Sequence, residues 1–490
     1  MINNGLNRFK KDALIYVLAV TVPALIGVFS LSLYTRIFST QQFGKYNLVL
    51  ITSLFITTLF SQWIQQAIQR YRPEYKNKNR LREFNANLTV LLLVVIIVIF
   101  ILGIVLAGAQ SFYISYQKYY VAAFLLIISQ FLFLTLGETM QSDFKVRQFK
   151  NFNLINAVSK IVVGILLIYY VNPHPSSIIY GLVISQFLLV IPMVKENELG
   201  LTIVQYTNIS SFYSFLKKFF KYGFPMIGWF IGNTVLNLSD RYMLELFETS
   251  KAVGIYSANY SIVSSGLGLL TIPLLNAAHP IIMNMSHKHS ENKKEIENTI
   301  SFFSKVYLTI SVPLIFCVLI FHKEIATILL GPEFREGSII IPILFIGTTA
   351  WNLAMYGHKG FEIMEKTKIM LFFVVISAVI NVILNFILIP KYSYIGAAFS
   401  TMISMFIYPI LIFVFSGKFI KWKLPYGSVI KIIFGAFCSM LVSLLLKPYI
   451  FGQVLLELIV GGLIYILVYL TILILTKELP IKQIKKILKI

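Results

Sequence analysis

The polar side chains that could act on a ligand lie inside, or at the ends of, long apolar runs. Lys160 is the sharpest case. It sits about eight residues into the run at 152–171, or ~12 Å from its start at 1.5 Å per residue. A charge near the middle of a bilayer costs at least ~2.5–3.5 kcal/mol unless it faces a cavity or a partner. Asn156, Lys160 and Gly164 share one helical face by i, i+4 spacing, and that face could look into a hydrated cavity. A cation there suits an anionic head group. The plainer alternative is snorkelling, or an ion pair with Glu138. The run SQWIQQAIQRYR places Gln62, Gln66 and Gln69 on one face, with Arg70 and Arg72 at its mouth. At an offset of 210, Gln66 matches Asn276 and Gln69 matches His279. Such groups hydrogen-bond hydroxyl-rich ligands, or they join helices at ~0.6 kcal/mol per contact. Glu138 is deep enough to serve as a proton- or ion-coupling carboxylate. Asp143, Lys145 and Arg147 read as an interfacial cluster. Arg36, Asp240 and Arg241 close two other spans and are candidates for gating or coupling, with orientation of the seventh span's outer end as the simpler role for the last two.

Other chemistries find no support. There is no Walker loop and no room for a nucleotide-binding domain. No nucleophile–base–orienter set occurs, so no catalytic residue is assigned. His174, His279, His287, His289, His322 and His358 are dispersed or at loop edges. Cys317 and Cys438 lie in apolar stretches, without disulfide or metal-ligand spacing. Neither a metal nor a cofactor is expected.

The elements that must position these residues are helices in lipid. Only 13% of the 490 residues are charged and 57% are hydrophobic, against ~25% charged in soluble domains. The apolar runs are ~20 residues long and do not alternate, which points to helices and not a barrel. Spans are expected near 13–35, 46–69, 88–108, 120–141, 152–171 and 177–194, then a more polar linker to 221. Further spans are expected near 222–245, 254–278, 303–321, 338–357, 369–389, 395–415, 428–446 and 454–475. The start, MINNGLNRFKKD, has no small-residue cleavage site after it and reads as the approach to a first span.

With both termini cytoplasmic, most of the 42 lysines and arginines fall on the inner side. Only Arg36, Lys45, Lys118, Arg241, Lys251, Lys323, Arg335, Lys391 and Lys447 fall outside, and Lys160 is left within a span. This asymmetry supports fourteen spans with both ends inside an inner or plasma membrane. It also explains the net charge of +22 without nucleic acid.

The halves repeat. TRIFSTQQFGKYNLVL, with Arg36, Phe43, Gly44 and Tyr46, parallels DRYMLELFETSKAVGIYSANY, with Arg241, Val253, Gly254 and Tyr256. At an offset of 215, Pro175, Gly181 and Ser185 match Pro390, Gly396 and Ser400. Each repeat has an even number of spans, so the repeats are parallel, about an axis along the membrane normal. Two six-helix lobes are expected at 1–205 and 206–416, with a helix pair at 417–490. Lys160 lies outside the shared scaffold, because its counterpart is Val375.

Three segments carry a family resemblance: YGFPMIGWFIGNTVLNLSDRYML with AVGIYSANYSI, NVILNFILIPKYSYIGAAFSTMIS, and the N-terminal KDALIYVLAV with YTRIFSTQQFGKYN. The chain resembles the polysaccharide-transporter branch of the multidrug/oligosaccharidyl-lipid/polysaccharide (MOP) flippase superfamily, which holds the Wzx-type O-antigen and capsule-repeat flippases. The resemblance implies an all-α, MATE-like fold of two six-helix bundles around a central cavity. It implies flipping of an undecaprenyl-(pyro)phosphate-linked oligosaccharide unit for surface polysaccharide synthesis. The partners it implies are lipid-linked oligosaccharide and membrane lipids, with a polysaccharide polymerase and chain-length machinery as candidates. A gradient, the membrane potential or consumption of cargo outside would drive transport. The competing reading is a cation-coupled MATE-type exporter of drugs or metabolites. A polymerase or ligase is disfavoured because every expected outer loop is short.

Overall fold

A computed structural model describes residues 21–107, 114–200, 208–288, 293–449 and 452–478. Their regular structure is helical. In order these are α1 (Thr21–Ile37), α2 (Thr40–Asn77), α3 (Leu81–Ala107), α4 (Tyr120–Ser142), α5 (Val146–Tyr170), α6 (Ser176–Glu196) and α7 (Ile209–Phe247). Then come α8 (Ser250–Lys288), α9 (Lys293–Leu329), α10 (Ile340–Gly357), the short α11 (Lys359–Ile363), α12 (Thr367–Ser416), α13 (Tyr426–Leu446) and α14 (Val454–Leu475). Among the described residues eleven helices are long and apolar enough to cross a membrane. Helix α12 has 50 residues, or ~75 Å, far more than a ~30 Å hydrocarbon core. It breaks at Ser393 (φ 52, ψ −134) into two spans. With α1 and α7 added, the multi-pass arrangement has fourteen spans.

The backbone divides into two compact units, 21–30 with Gln42–Leu238, and Leu31–Gln41 with 239–478. Helix α7 passes from the first to the second after Leu238.

In the first unit, Ile64 and Ile68 of α2, Phe84 and Leu88 of α3, Phe131 and Leu136 of α4 and Met193 of α6 form a buried core. From Ile209 on, the polar linker expected before residue 222 is in fact the first turns of α7, and its residues 201–207 lie outside the described residues. Asn208 caps it, its side-chain oxygen accepting from the Ser211 amide at 2.6 Å. Phe215 and Phe219 then stack at 4.1 Å and close on Phe84. Lys217 and Lys221 are exposed on the other side. Helices α5 and α6 meet where a Cβ on Gly181 would come within 2.5 Å of the Gly164 amide nitrogen. Just before α6, burial, then Lys118 and Lys45, hold the His174 imidazole below its usual pKa. The ring stays neutral and its Nδ1 accepts from the Ser176 amide at 3.2 Å.

In the second unit, α13 and α14 pack on α9. Tyr469 donates its hydroxyl to the Thr309 carbonyl at 2.9 Å. Lys447 pairs with Glu324 at 2.7 Å. Lys305 and Lys431 both reach Glu478. Burial works upward on the Glu478 carboxyl, but the hydrogen bonds from Lys305 and Ser428 and both lysine charges leave it below the usual carboxylate range.

The repeat is visible in matched bonds. Ser185 donates to the Gly181 carbonyl at 2.7 Å, and Ser400 to the Gly396 carbonyl at 2.9 Å. Both glycines abut the preceding span, Gly181 at Gly164 and Gly396 at Leu388. The two motif tyrosines, Tyr46 and Tyr256, are buried near the starts of α2 and α8.

Candidate polar sites in the two units

Helix α5 has three flanks. Ile155, Val158, Val162 and Leu166 are exposed, as a lipid-facing stripe at helical spacing requires. Ala157, Ile161, Gly164 and Ile168 are buried in the seam. Asn156, Lys160 and Val163 occupy the third flank and are half-buried. Lys160 has no hydrogen-bond or ion-pair partner among the described residues, and buried oxygens of Asn156 and Ser159 are likewise unpartnered. Gly164 therefore belongs to helix packing, not to the expected polar face. The helix starts at Val146, so Lys160 lies ~21 Å along it, the extra length being the polar turns that precede the apolar run at 152.

The alternative partner for Lys160 is engaged elsewhere. Glu138 is buried on α4 and accepts from Gln69 Nε2 at 2.6 Å. Gln62 and Gln66 are half-buried, and Arg70 is exposed. Arg72, placed by the sequence at the same mouth, is instead buried. It donates to Asn85 Oδ1 at 2.6 Å and to Asp143 Oδ2 at 2.8 Å. Asn85 continues to the carbonyls of Asn197 and Glu198. Asp143 is thus a buried structural partner and not part of a simple surface cluster with Lys145 and Arg147. The i, i+4 series Ile64, Ile68, Arg72 carried the signal, since it continues the buried stripe of α2.

In the second unit Asp240 is buried at the centre of a donor shell. Tyr256 and Thr401 donate to Oδ2 at 2.6 and 2.5 Å. Asn385 and Asn381 donate to Oδ1 at 2.7 and 3.2 Å. Arg241, also buried, donates to Ser257 at 3.1 Å and lies over the rings of Tyr256 and Tyr260. The donors from α8 and from both halves of α12 went unread in the sequence. Arg36 is exposed and donates to the Ile328 carbonyl at 2.7 Å.

Asn276 and His279 are exposed on α8. His279 Nδ1 lies 3.8 Å from Glu362 Oε2. The same carboxylate meets His358 Nε2 at 3.1 Å and Lys359 Nζ at 2.7 Å. His279 and His358 are therefore not dispersed; they converge on Glu362. The signal was the i, i+4 spacing of His358 and Glu362. Among the described residues no group of three or more histidine, cysteine or acidic side chains is arranged to hold a metal ion.

The family follows from comparison. The model for a polysaccharide biosynthesis protein family matches residues 9–286, more than half of the chain. The chain belongs to this polysaccharide biosynthesis protein family. Its place is in the MOP superfamily, and the MatE family model also matches residues 225–387. An uncharacterized membrane protein of Methanocaldococcus jannaschii is 22% identical over 499 residues, covering 96% of each chain. The probable low-salt glycan biosynthesis flippase Agl15 of Haloferax volcanii is 23% identical over 351 residues, or 70% of each chain. Among solved structures, lipid II flippase MurJ in an inward closed conformation aligns with TM-score 0.76 at 18% identity, covering 95% of this chain and 99% of that one. An inward-facing MATE family multidrug transporter aligns with TM-score 0.66 at 11% identity, covering 82% and 94%. These likenesses establish a MATE-like fold for the family member described here.

Proposed function

We propose that this protein is a flippase that moves undecaprenyl-(pyro)phosphate-linked oligosaccharide repeat units across the cytoplasmic membrane for surface polysaccharide synthesis. The observation that carries the reading is Lys160, half-buried within a span and with no ion-pair partner among the described residues. Family membership and the resemblance to glycan and lipid II flippases support the cargo class. In this reading lobes 1–205 and 206–416 alternate access to a central cavity, and the 417–490 pair is an appendage. Both termini are cytoplasmic. Lys160 binds the phosphate as it leaves the inner surface, because an unpaired charge in low dielectric is costly. Asn156, Gln62 and Gln66 bond the sugar hydroxyls, with Gln69, Arg70, Asn276 and His279 nearer the entrance. Glu138, Asp240, Arg241 and Arg36 couple or gate the cycle.

The test is surface polysaccharide in a deletion strain complemented with Lys160 variants, with membrane abundance measured in parallel. Lys160→Arg keeps partial transport, since a guanidinium still pairs with phosphate in a different geometry. Lys160→Ala loses it and Lys160→Glu is worse. Normal polysaccharide from Lys160→Glu at normal abundance removes Lys160 from the site. The second reading, cation-coupled export of drugs or metabolites, draws on the MatE match over residues 225–387. A deletion strain separates the two: the flippase reading requires lipid-linked intermediate to accumulate, and the exporter reading requires altered drug susceptibility without it.

A further inference from the structure

The Glu362 cluster is a chain of titratable groups that the transport reading above does not use as such. His358 is buried at the end of α10, with Nε2 at 3.1 Å from Glu362 and Nδ1 at 3.0 Å from the Tyr408 hydroxyl. A carboxylate only accepts, so in the neutral ring Nε2–H donates to Glu362. Nδ1 then accepts from the Tyr408 hydroxyl. His279, on α8, brings a half-exposed imidazole to 3.8 Å from Glu362. Lys359 holds the second carboxylate oxygen at 2.7 Å. The remaining neighbour is the segment after α12, whose Ile420 packs on Gly360. Of its lysines, Lys423 pairs with Glu297 at 2.6 Å, Lys418 lies over the Phe415 ring, and Lys421 is exposed. Glu365, Lys366 and Lys368, at the start of α12, are exposed.

We propose that His279, Glu362 and His358 form a proton-binding site at the lysine-rich end of the second unit, with Tyr408 as its readout. The exposed imidazole of His279 takes up a proton beside the Glu362 carboxylate, and the buried His358 ring takes one at Nδ1, since Nε2 already carries the hydrogen it donates to Glu362. Once His358 is protonated, Nδ1 becomes a donor. The Tyr408 hydroxyl must then accept where it donated before. Tyr408 packs at 4.8 Å on Trp351, so the changed bond is felt between α10 and α12. Protonation of His358 adds one positive charge beside the pair of Lys359 with Glu362 and leaves that pair unbroken.

The experiment is histidine ring NMR of the full chain, labelled with isotopic histidine, in lipid nanodiscs from acid to mildly alkaline pH. Single His→Gln variants assign the signals. Removing the anion with Glu362→Gln should lower the proton affinity of His358 about tenfold, moving its midpoint about one pH unit to acid. Removing the neighbouring cation with Lys359→Gln should move it to alkaline pH. Tyr408→Phe keeps the ring against Trp351 and deletes the donor that favours neutral His358, so it too should move the midpoint to alkaline pH. His322, outside the cluster, should not move. If Glu362→Gln does not fold, the alkaline shifts expected of the other two variants carry the test. Midpoints of His279 and His358 equal to wild type in every folded variant overturn the proposal. The titration needs no cargo, so its failure and that of the flippase reading are distinct.

Discussion

Cutting the buried pair of Arg72 and Asp143 should destabilise the first unit more than any surface change. The side chains are 2% and 6% exposed, and the contact is 2.8 Å. Arg72→Ala leaves Asp143 inside with only Lys76, at 3.7 Å and half-exposed, as counterion. It also leaves Asn85 Oδ1 without its donor and opens a gap beside the Phe84 ring. Removing one member of a buried pair costs ~3–5 kcal/mol, because the other charge is stranded. The residual help from Lys76 puts Arg72→Ala at the lower end, about 3 kcal/mol, or roughly 150-fold in the folding equilibrium. Asp143→Asn strands the guanidinium and should cost a similar amount. Arg72→Ala with Asp143→Asn strands neither charge, so the double variant should cost about as much as either single one. That non-additivity, a coupling of about 2–3 kcal/mol, is the signature of the pair. Equilibrium unfolding of purified protein in mixed micelles over a denaturant series measures it. Single variants within about 0.5 kcal/mol of wild type, the range of ordinary surface changes, or an additive double variant, would refute the reasoning.

Two further outcomes are expected. Gly181→Val should cost at least ~1–3 kcal/mol through overpacking against Gly164, whereas Gly266→Ala, where a Cβ meets nothing within 4 Å, should be tolerated; equal stability of the two would reject the α5–α6 seam. Cysteines at exposed Asn77 and Asn172 should label from opposite sides of the membrane with an impermeant reagent; labelling from one side would overturn the fourteen-span topology.

The spans were legible because lipid demands uninterrupted apolar length, and even the break at Ser393 fell in the gap expected between 389 and 395. The start of α7 was not. Lys217, Lys218 and Lys221 made it read as a linker, while the phenylalanines at i, i+4 that bury its other side count for little in an averaged hydropathy. Neighbouring charges were misassigned for the same reason. Arg70 and Arg72 are two residues apart and so ~200° apart around a helix; only the phase of the buried stripe tells which one enters the core. Contacts between distant elements, such as His279 with Glu362, need the fold itself.

That last contact shows where the two repeats part. Position 69 and its match 279 each meet a carboxylate near the end of the fourth helix of their own repeat, Glu138 in one case and Glu362 in the other. The first pair joins an amide to the acid. The second joins an imidazole, and adds another imidazole and a lysine. Lys160 and Val375 differ in the same way at equivalent positions: one is a half-buried cation, the other an exposed apolar side chain. Glycine seams and serine back-bonds must be kept in both halves because both halves pack their helices alike. Charges have no such constraint. The duplicated backbone thus fixes the helices, and the unmatched ionisable groups carry the chemical differences between the two halves.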